Sequence, residues 1–168
     1  YHAKASAPRG LFAHTGSGVV RDLQINGTSV GEGGMNAALA AWYGVAVALV
    51  TGDDVAVDEV KARVPGVKGV VVKRAINTRA VELVPLVEAR RQIEAGAKEA
   101  VAAAKKPAPM RTGPFTVTMQ FRDVTIPEVM SAFREMERPA PDTLRFQRDA
   151  LPEAYRLIRV LYRFIDTN

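Results

Sequence analysis

The sequence predicts an α/β fold: a covered mixed sheet with a parallel βαβ unit in the first half, and an α+β second half. Three observations carry this. Residues 45–51 are a continuous apolar run of strand length and 67–73 read as a second buried strand, separated by a stretch with helical periodicity. Asn26-Gly27 stands between two β-prone runs, the strongest short-range hairpin signal. Residues 115–121 alternate Phe, Val, Met and Phe with Thr, Thr and Gln, the period of a strand with one wet face.

Taken in order, residues 1–18 are small and polar, punctuated by Pro8, Gly10, Gly16 and Gly18, and read as a loop. Val19, Val20, Leu23 and Ile25 lead into the Asn26-Gly27 turn, and Thr28, Ser29 and Val30 return from it. After Gly31-Glu32-Gly33-Gly34, an alanine-rich helix is expected over 35–43 with Gly44 as its stop. The run 45–51, apolar on both faces, belongs in the middle of a covered sheet. Gly52-Asp53-Asp54 ends it, with Asp54 the expected N-cap of a helix over 55–64 that Pro65-Gly66 closes. The run 67–73 completes strand, helix, strand, and short connections make that pair parallel and right-handed. Pro85, tolerated in a first helical turn, opens a long helix to about 105, and Lys106-Pro107-Ala108-Pro109 breaks it. The strand over 115–121, a helix over 126–136, a turn at Pro139 and Pro141, a short strand over 144–147 and a terminal helix over 151–165 follow. The organisation expected is an α/β part over 1–80 and a smaller α+β region over 81–168.

Composition narrows the function classes. With 168 residues, 48% hydrophobic and 24% charged, the chain has the make-up of a globular body with a real core. It has no cysteine, which excludes disulfide scaffolds and thiolate metal sites and fits the cytoplasm. The longest apolar run, 37–50, is broken at Gly44 and is shorter than the ~20 residues that cross a bilayer, so no membrane partner is expected. The formal charge of +5 raises nucleic acid as a partner, and Arg134, Arg138, Arg145, Arg148, Arg156, Arg159 and Arg163 crowd the C-terminal stretch. Arg156, Arg159 and Arg163, however, recur at helical spacing opposite Leu157, Ile158, Leu161 and Phe164, as on the solvated face of an amphipathic helix. No helix-turn-helix, finger or aromatic-interleaved RNA motif accompanies them, and nucleic acid is not expected to bind. The chain opens on Tyr1 and is expected to be truncated at its N-terminus, a segment of a longer protein.

Histidine is the scarce residue: His2 and His14 are the only two, and both fall in the glycine-punctuated opening. Glu32 is flanked by Gly31, Gly33 and Gly34, where missing side chains let another backbone or a ligand come close. Imidazole nitrogen and carboxylate oxygen are the donors zinc accepts when no thiolate exists, so His2 and Glu32 are candidate ligands. Two ligands are too few, since a single catalytic zinc takes three protein donors plus a water. The competing interpretation makes Glu32 a partner for the amide dipoles of the helix that follows. Asp53 ends a buried strand, where ligands of α/β folds gather. Lys73, Asn77, Thr78 and Arg79 share the rim after the second buried strand, free to meet a substrate carboxylate or only solvent.

Tyr1-His2-Ala3-Lys4-Ala5, Ala13-His14-Thr15, Ile25-Asn26-Gly27, Val30-Gly31-Glu32, Met35-Asn36-Ala37 and Val50-Thr51-Gly52-Asp53-Asp54, in this order, resemble the zinc-dependent D-aminopeptidases of the bacterial dipeptide-permease operon type. The resemblance covers residues 1–80. It implies a metal-dependent peptide hydrolase that releases N-terminal D-amino acids from short peptides through a dinuclear zinc centre. His2 and Glu32 are then zinc ligands, His14 the catalytic histidine, and Lys73 and Asn36 substrate-binding residues. The remaining ligands of that centre, an Asp-x-Glu strand and a further His, lie upstream in the family and have no counterpart here. The loop between His2 and His14 is one residue longer than the family pattern. Ring-like homo-oligomers are also implied. The alternative is a non-catalytic α/β binding or assembly module whose histidines are structural.

Overall fold

The computed structural model describes residues 1–163. In chain order the elements are β1 (Val20–Ile25), β2 (Thr28–Ser29), α1 (Glu32–Trp42), β3 (Leu49–Asp53), α2 (Asp54–Lys61), β4 (Lys68–Ala75), β5 (Val81–Leu83), α3 (Leu86–Ala103), β6 (Phe115–Phe121), α4 (Thr125–Met130), β7 (Glu137–Ala140), β8 (Thr143–Arg148) and α5 (Leu151–Arg163). They form an antiparallel sheet of order β2-β1-β6-β8-β7 and a mixed sheet of order β3-β4-β5. In the latter, β3 and β4 are parallel and β5 is antiparallel to β4. The α/β class and the parallel unit are as the sequence predicts.

The hairpin forms at the expected pair, Asn26 with φ 51° and Gly27 with φ 75°. Asn26 also ties β1 into the antiparallel sheet: its Oδ1 accepts from the Thr116 N–H at 2.8 Å, and its own N–H donates to the Thr116 carbonyl at 2.8 Å. Gly44 follows α1 with φ 66°, the left-handed stop expected of it.

Two cores result. In the larger, Leu23, Val117, Met119, Phe121, Leu144 and Phe146 of the antiparallel sheet pack with Met35 of α1 and with Ile158 and Leu161 of α5. In the smaller, Val57 and Val60 of α2 meet Val50 and Val67. Helices cover β4 on both faces: a Cβ on Gly69 would lie 2.6 Å from Val57 of α2, whereas Val70 points at Gly96 of α3. Adjacent strand residues face opposite ways, so α2 and α3 lie on opposite sides.

Several expectations need correction. β3 is the edge of its sheet rather than its middle, and it starts at Leu49. Its apolar outer side is covered because the opening segment lies along it, with the Tyr1 nitrogen donating to the Thr51 carbonyl at 3.1 Å. The helix expected over 126–136 ends at Met130, and Pro139, expected in a turn, lies within an edge strand, β7, with the turn following at Pro141. Beyond Met130 the apolar period fails, since Phe133 is 53% exposed, and an edge strand accommodates a proline whose missing N–H faces away from the ladder. β5 was not expected, three residues being too short for a periodic signal. The last residues assigned to the terminal helix, Phe164 among them, lie outside the described residues. No described helix is long and apolar enough to cross a membrane.

Candidate active site

The opening loop is hydrogen-bonded where the sheet of β3 and β4 meets α2. Asp53 is the N-cap of α2, its Oδ1 accepting from the Ala56 N–H at 2.8 Å. Its Oδ2 accepts from the Leu11 N–H, also at 2.8 Å, and the side chain is fully buried. Asp54, expected to be that cap, is the first helical residue instead. It bridges outward, accepting from the Ala75 N–H at 2.8 Å and from Arg9 at 2.7 Å. The neighbouring Phe12 N–H donates to the Thr78 carbonyl at 2.9 Å, and the His14 N–H to the Ala3 carbonyl at 3.0 Å. Gly10 makes the fold of the loop possible. It has φ 128°, and a Cβ there would lie 2.5 Å from that of buried Ala3.

Burial pushes the Asp54 carboxyl up, but the Ala75 N–H and the hydrogen bond and charge of Arg9 outweigh it, leaving it below the ordinary carboxylate value. A depressed folded value stabilises the fold above the unfolded pKa of about 3.9, and that contribution is lost as pH falls through the folded value. Thermal melts at stepped pH should therefore show the wild-type midpoint falling on acidification below about pH 4 more steeply than that of Asp54→Asn. Parallel curves would show that the pairing contributes nothing.

The two histidines and Glu32 converge. The His2 and His14 ring centroids are 5.0 Å apart, and His14 Nε2 is 3.9 Å from Glu32 Oε2, both side chains being about one-third exposed. His2 Nδ1 lies 2.7 Å from the Leu11 carbonyl, and His14 Nδ1 lies 2.8 Å from the Phe12 carbonyl. A carbonyl can only accept, so each ring carries its proton on Nδ1 and, when neutral, presents a bare Nε2 lone pair. For His14 that lone pair faces a carboxylate oxygen. Two acceptors at this separation call for a proton, a water or a cation between them.

The glycines around Glu32 are explained by close packing. A Cβ on Gly31 would lie 3.0 Å from Lys4, one on Gly33 2.6 Å from Val60 of α2, and one on Gly34 2.9 Å from Arg63. Glu32 opens α1, whose cap residue Gly31 supplies no side-chain hydrogen bond, so its charge also complements the helix dipole.

Asn36 lies one turn beyond Glu32 on α1 and is engaged on both sides. Its Nδ2 donates to the Tyr1 hydroxyl at 3.1 Å, and the Tyr155 hydroxyl donates to its Oδ1 at 2.9 Å. Lys73 lies on β4 in register with Asp53 of β3, and no hydrogen bond or ion pair among the described residues joins it to the histidines. Sequence reading missed Tyr1, Tyr155 and Tyr162. The Tyr162 ring fills the space beside Gly16, and its phenol is pushed up by burial and, more weakly, by the nearby charges of Tyr155 and Glu32, against Arg159. The seven-residue spacing of Tyr155 and Tyr162 on α5 was the available signal, marking one helix face that could meet α1.

Imidazole and carboxylate suit zinc in kind. In number they fall short: among the described residues no group of three or more His, Cys, Asp or Glu is placed to hold a metal ion. Two imidazoles with fixed ring orientations thus lie side by side on a partly exposed rim, one of them facing a carboxylate.

The family model described as D-aminopeptidase matches residues 1–160, and the chain belongs to that family. It is 43% identical over 82 residues to the D-aminopeptidase of Bacillus subtilis (strain 168), covering 49% of this chain and 30% of the relative. It also resembles the solved structure of the zinc-dependent D-aminopeptidase DppA from Bacillus subtilis, described as a self-compartmentalizing protease. The TM-score is 0.91 at 29% identity, over 100% of this chain and 62% of that one. The chain thus spans less than two thirds of the length of either relative.

Proposed function

We propose that this chain contributes His2, His14 and Glu32 to the site of a zinc-dependent aminopeptidase that releases N-terminal D-amino acids from short peptides. The observation that carries the reading is the convergence just described, with both Nε2 atoms left bare and one of them facing Glu32 at 3.9 Å. His2 and Glu32 would be donors to the metal, and further donors would be needed to complete a dinuclear centre. Zinc supplies Lewis-acid polarisation of the scissile carbonyl and lowers the pKa of a water. His14 Nε2 takes a proton from the attacking group or returns one to the leaving amine, while the Phe12 carbonyl retains the proton on Nδ1. Asn36 orients the half-exposed Tyr1 hydroxyl toward substrate, and Lys73 serves as the cation for a substrate carboxylate. The reading includes a cytoplasmic location and self-association into a ring, the latter supported by the self-compartmentalizing description of the Bacillus subtilis relative.

The test uses the protein in its full length. Dipeptides differing only in the chirality of the first residue are offered to metal-free and zinc-restored samples. Hydrolysis should vanish on chelation, return with zinc, and favour the D residue. Chelator-resistant hydrolysis, or none of either peptide after zinc is restored, overturns the proposal.

A further inference from the structure

We infer that Asp53 is a positioning residue for both histidines, acting through a bracket of two consecutive backbone carbonyls at Leu11 and Phe12. The inference rests on the reading of His2 and His14 as site residues. A helix N-cap needs one carboxylate oxygen, and Asp53 spends Oδ1 on the Ala56 N–H. Its second oxygen, equally buried, holds the Leu11 N–H across 42 positions of sequence. Leu11 and Phe12 then offer successive carbonyls, one to each imidazole, at 2.7 and 2.8 Å. Successive carbonyls of an extended chain point to opposite sides. Here Phe12 has φ 50°, in the left-handed region that non-glycine residues seldom enter, and both carbonyls reach rings 5.0 Å apart. The Phe12 N–H is fixed in turn by the Thr78 carbonyl at 2.9 Å. Asp53 on one side and Thr78 on the other thus hold the bracket, and the bracket sets which nitrogen of each histidine is bare. The Phe12 side chain is 52% exposed, with the Arg79 guanidinium 5.7 Å from its ring centroid. Outer hydrogen bonds of this kind fix the tautomer and direction of ligating histidines.

The discriminating measurement is the tautomer of each histidine in the metal-free full-length protein. It is read from imidazole nitrogen NMR shifts, with signals assigned by His2→Gln and His14→Gln. Both wild-type rings should show Nδ1 protonated and Nε2 bare. Asp53→Asn retains a capping oxygen for Ala56 but sets an amide against the Leu11 N–H. Mixed tautomers are expected for at least His2, with zinc affinity about 10- to 100-fold weaker. Wild-type tautomers in a folded Asp53→Asn protein overturn the inference, whatever happens to its activity. Should that variant fail to fold, Phe12 decides. Phe12→Gly, at ease at positive φ, should keep the wild-type tautomers and zinc affinity, whereas β-branched Phe12→Val should lose both; equal behaviour of the two overturns it. If His2→Gln and His14→Gln leave zinc binding and turnover unchanged, the site reading falls, while the tautomer result still judges the bracket.

Discussion

Replacing His14 with alanine is expected to lower turnover of a D-amino dipeptide by about 10²- to 10⁴-fold, the range a positioned acid–base group supplies, while zinc content is unchanged. The geometry separates these two readouts. His14 is one-third exposed and, among the described residues, the only hydrogen bond of its ring runs to a backbone carbonyl two residues away, so the fold loses little with the ring. The Phe12 carbonyl regains a partner in water, and the hydrogen bonds of His2 to the Leu11 carbonyl and of the Leu11 N–H to Asp53 do not involve His14. What disappears is the bare Nε2 beside Glu32, the one nitrogen of the pair that faces a carboxylate within 4 Å. A melting temperature close to wild type, full zinc by metal analysis and a collapsed turnover would together assign the ring to proton transfer. Turnover equal to wild type removes His14 from the mechanism. Loss of zinc in step with turnover makes it a ligand instead.

Much of the fold was legible because its signals are local. Asn26-Gly27 announces its own turn, the apolar run before α2 and the valine-rich stretch after it announce the parallel pair, and the alternation in β6 announces a strand with one buried face. The errors arise where a distant residue decides. Asp53 and Asp54 are equally good caps by composition, and local rules chose Asp54. The Ala75 N–H and Arg9, far along the chain, claim Asp54 for themselves, leaving the cap to Asp53. β3 has the composition of a central strand, yet the opening segment takes the place of a neighbouring strand on its outer side. At the site, the scarcity of histidine was enough to single out His2 and His14. What orients them was not legible, because the contact of Asp53 with Leu11 and that of Thr78 with Phe12 join segments with no shared period. The Tyr1, Asn36 and Tyr155 chain was hidden for the same reason, spanning 119 positions between its last two members.

The second large effect falls on Glu32, where a structural and a functional role coexist and differ in size. As an acid in the uncapped first turn of α1, its charge stabilises the helix by about 0.3–1 kcal/mol. Glu32→Gln removes that charge and keeps the shape, so its melting midpoint should drop only slightly. A metal donor has far more to lose. Even outer-shell partners of a ligand change metal affinity by about 10- to 100-fold, so deleting a direct ligand should cost at least that much zinc affinity, and turnover with it. His2→Ala should behave in the same way, lowering zinc occupancy and turnover together. The charge of Glu32 also faces His14, so Glu32→Gln leaves the His14 lone pair opposite an amide that can donate to it. That contact would occupy the nitrogen and depress turnover even at saturating zinc. Glu32→Ala, which offers nothing to His14, should by contrast recover part of its turnover when zinc is raised. A small loss of stability with zinc affinity and turnover intact in all three variants would leave Glu32 as a helix-dipole partner only, and the structural histidines of the alternative reading would stand.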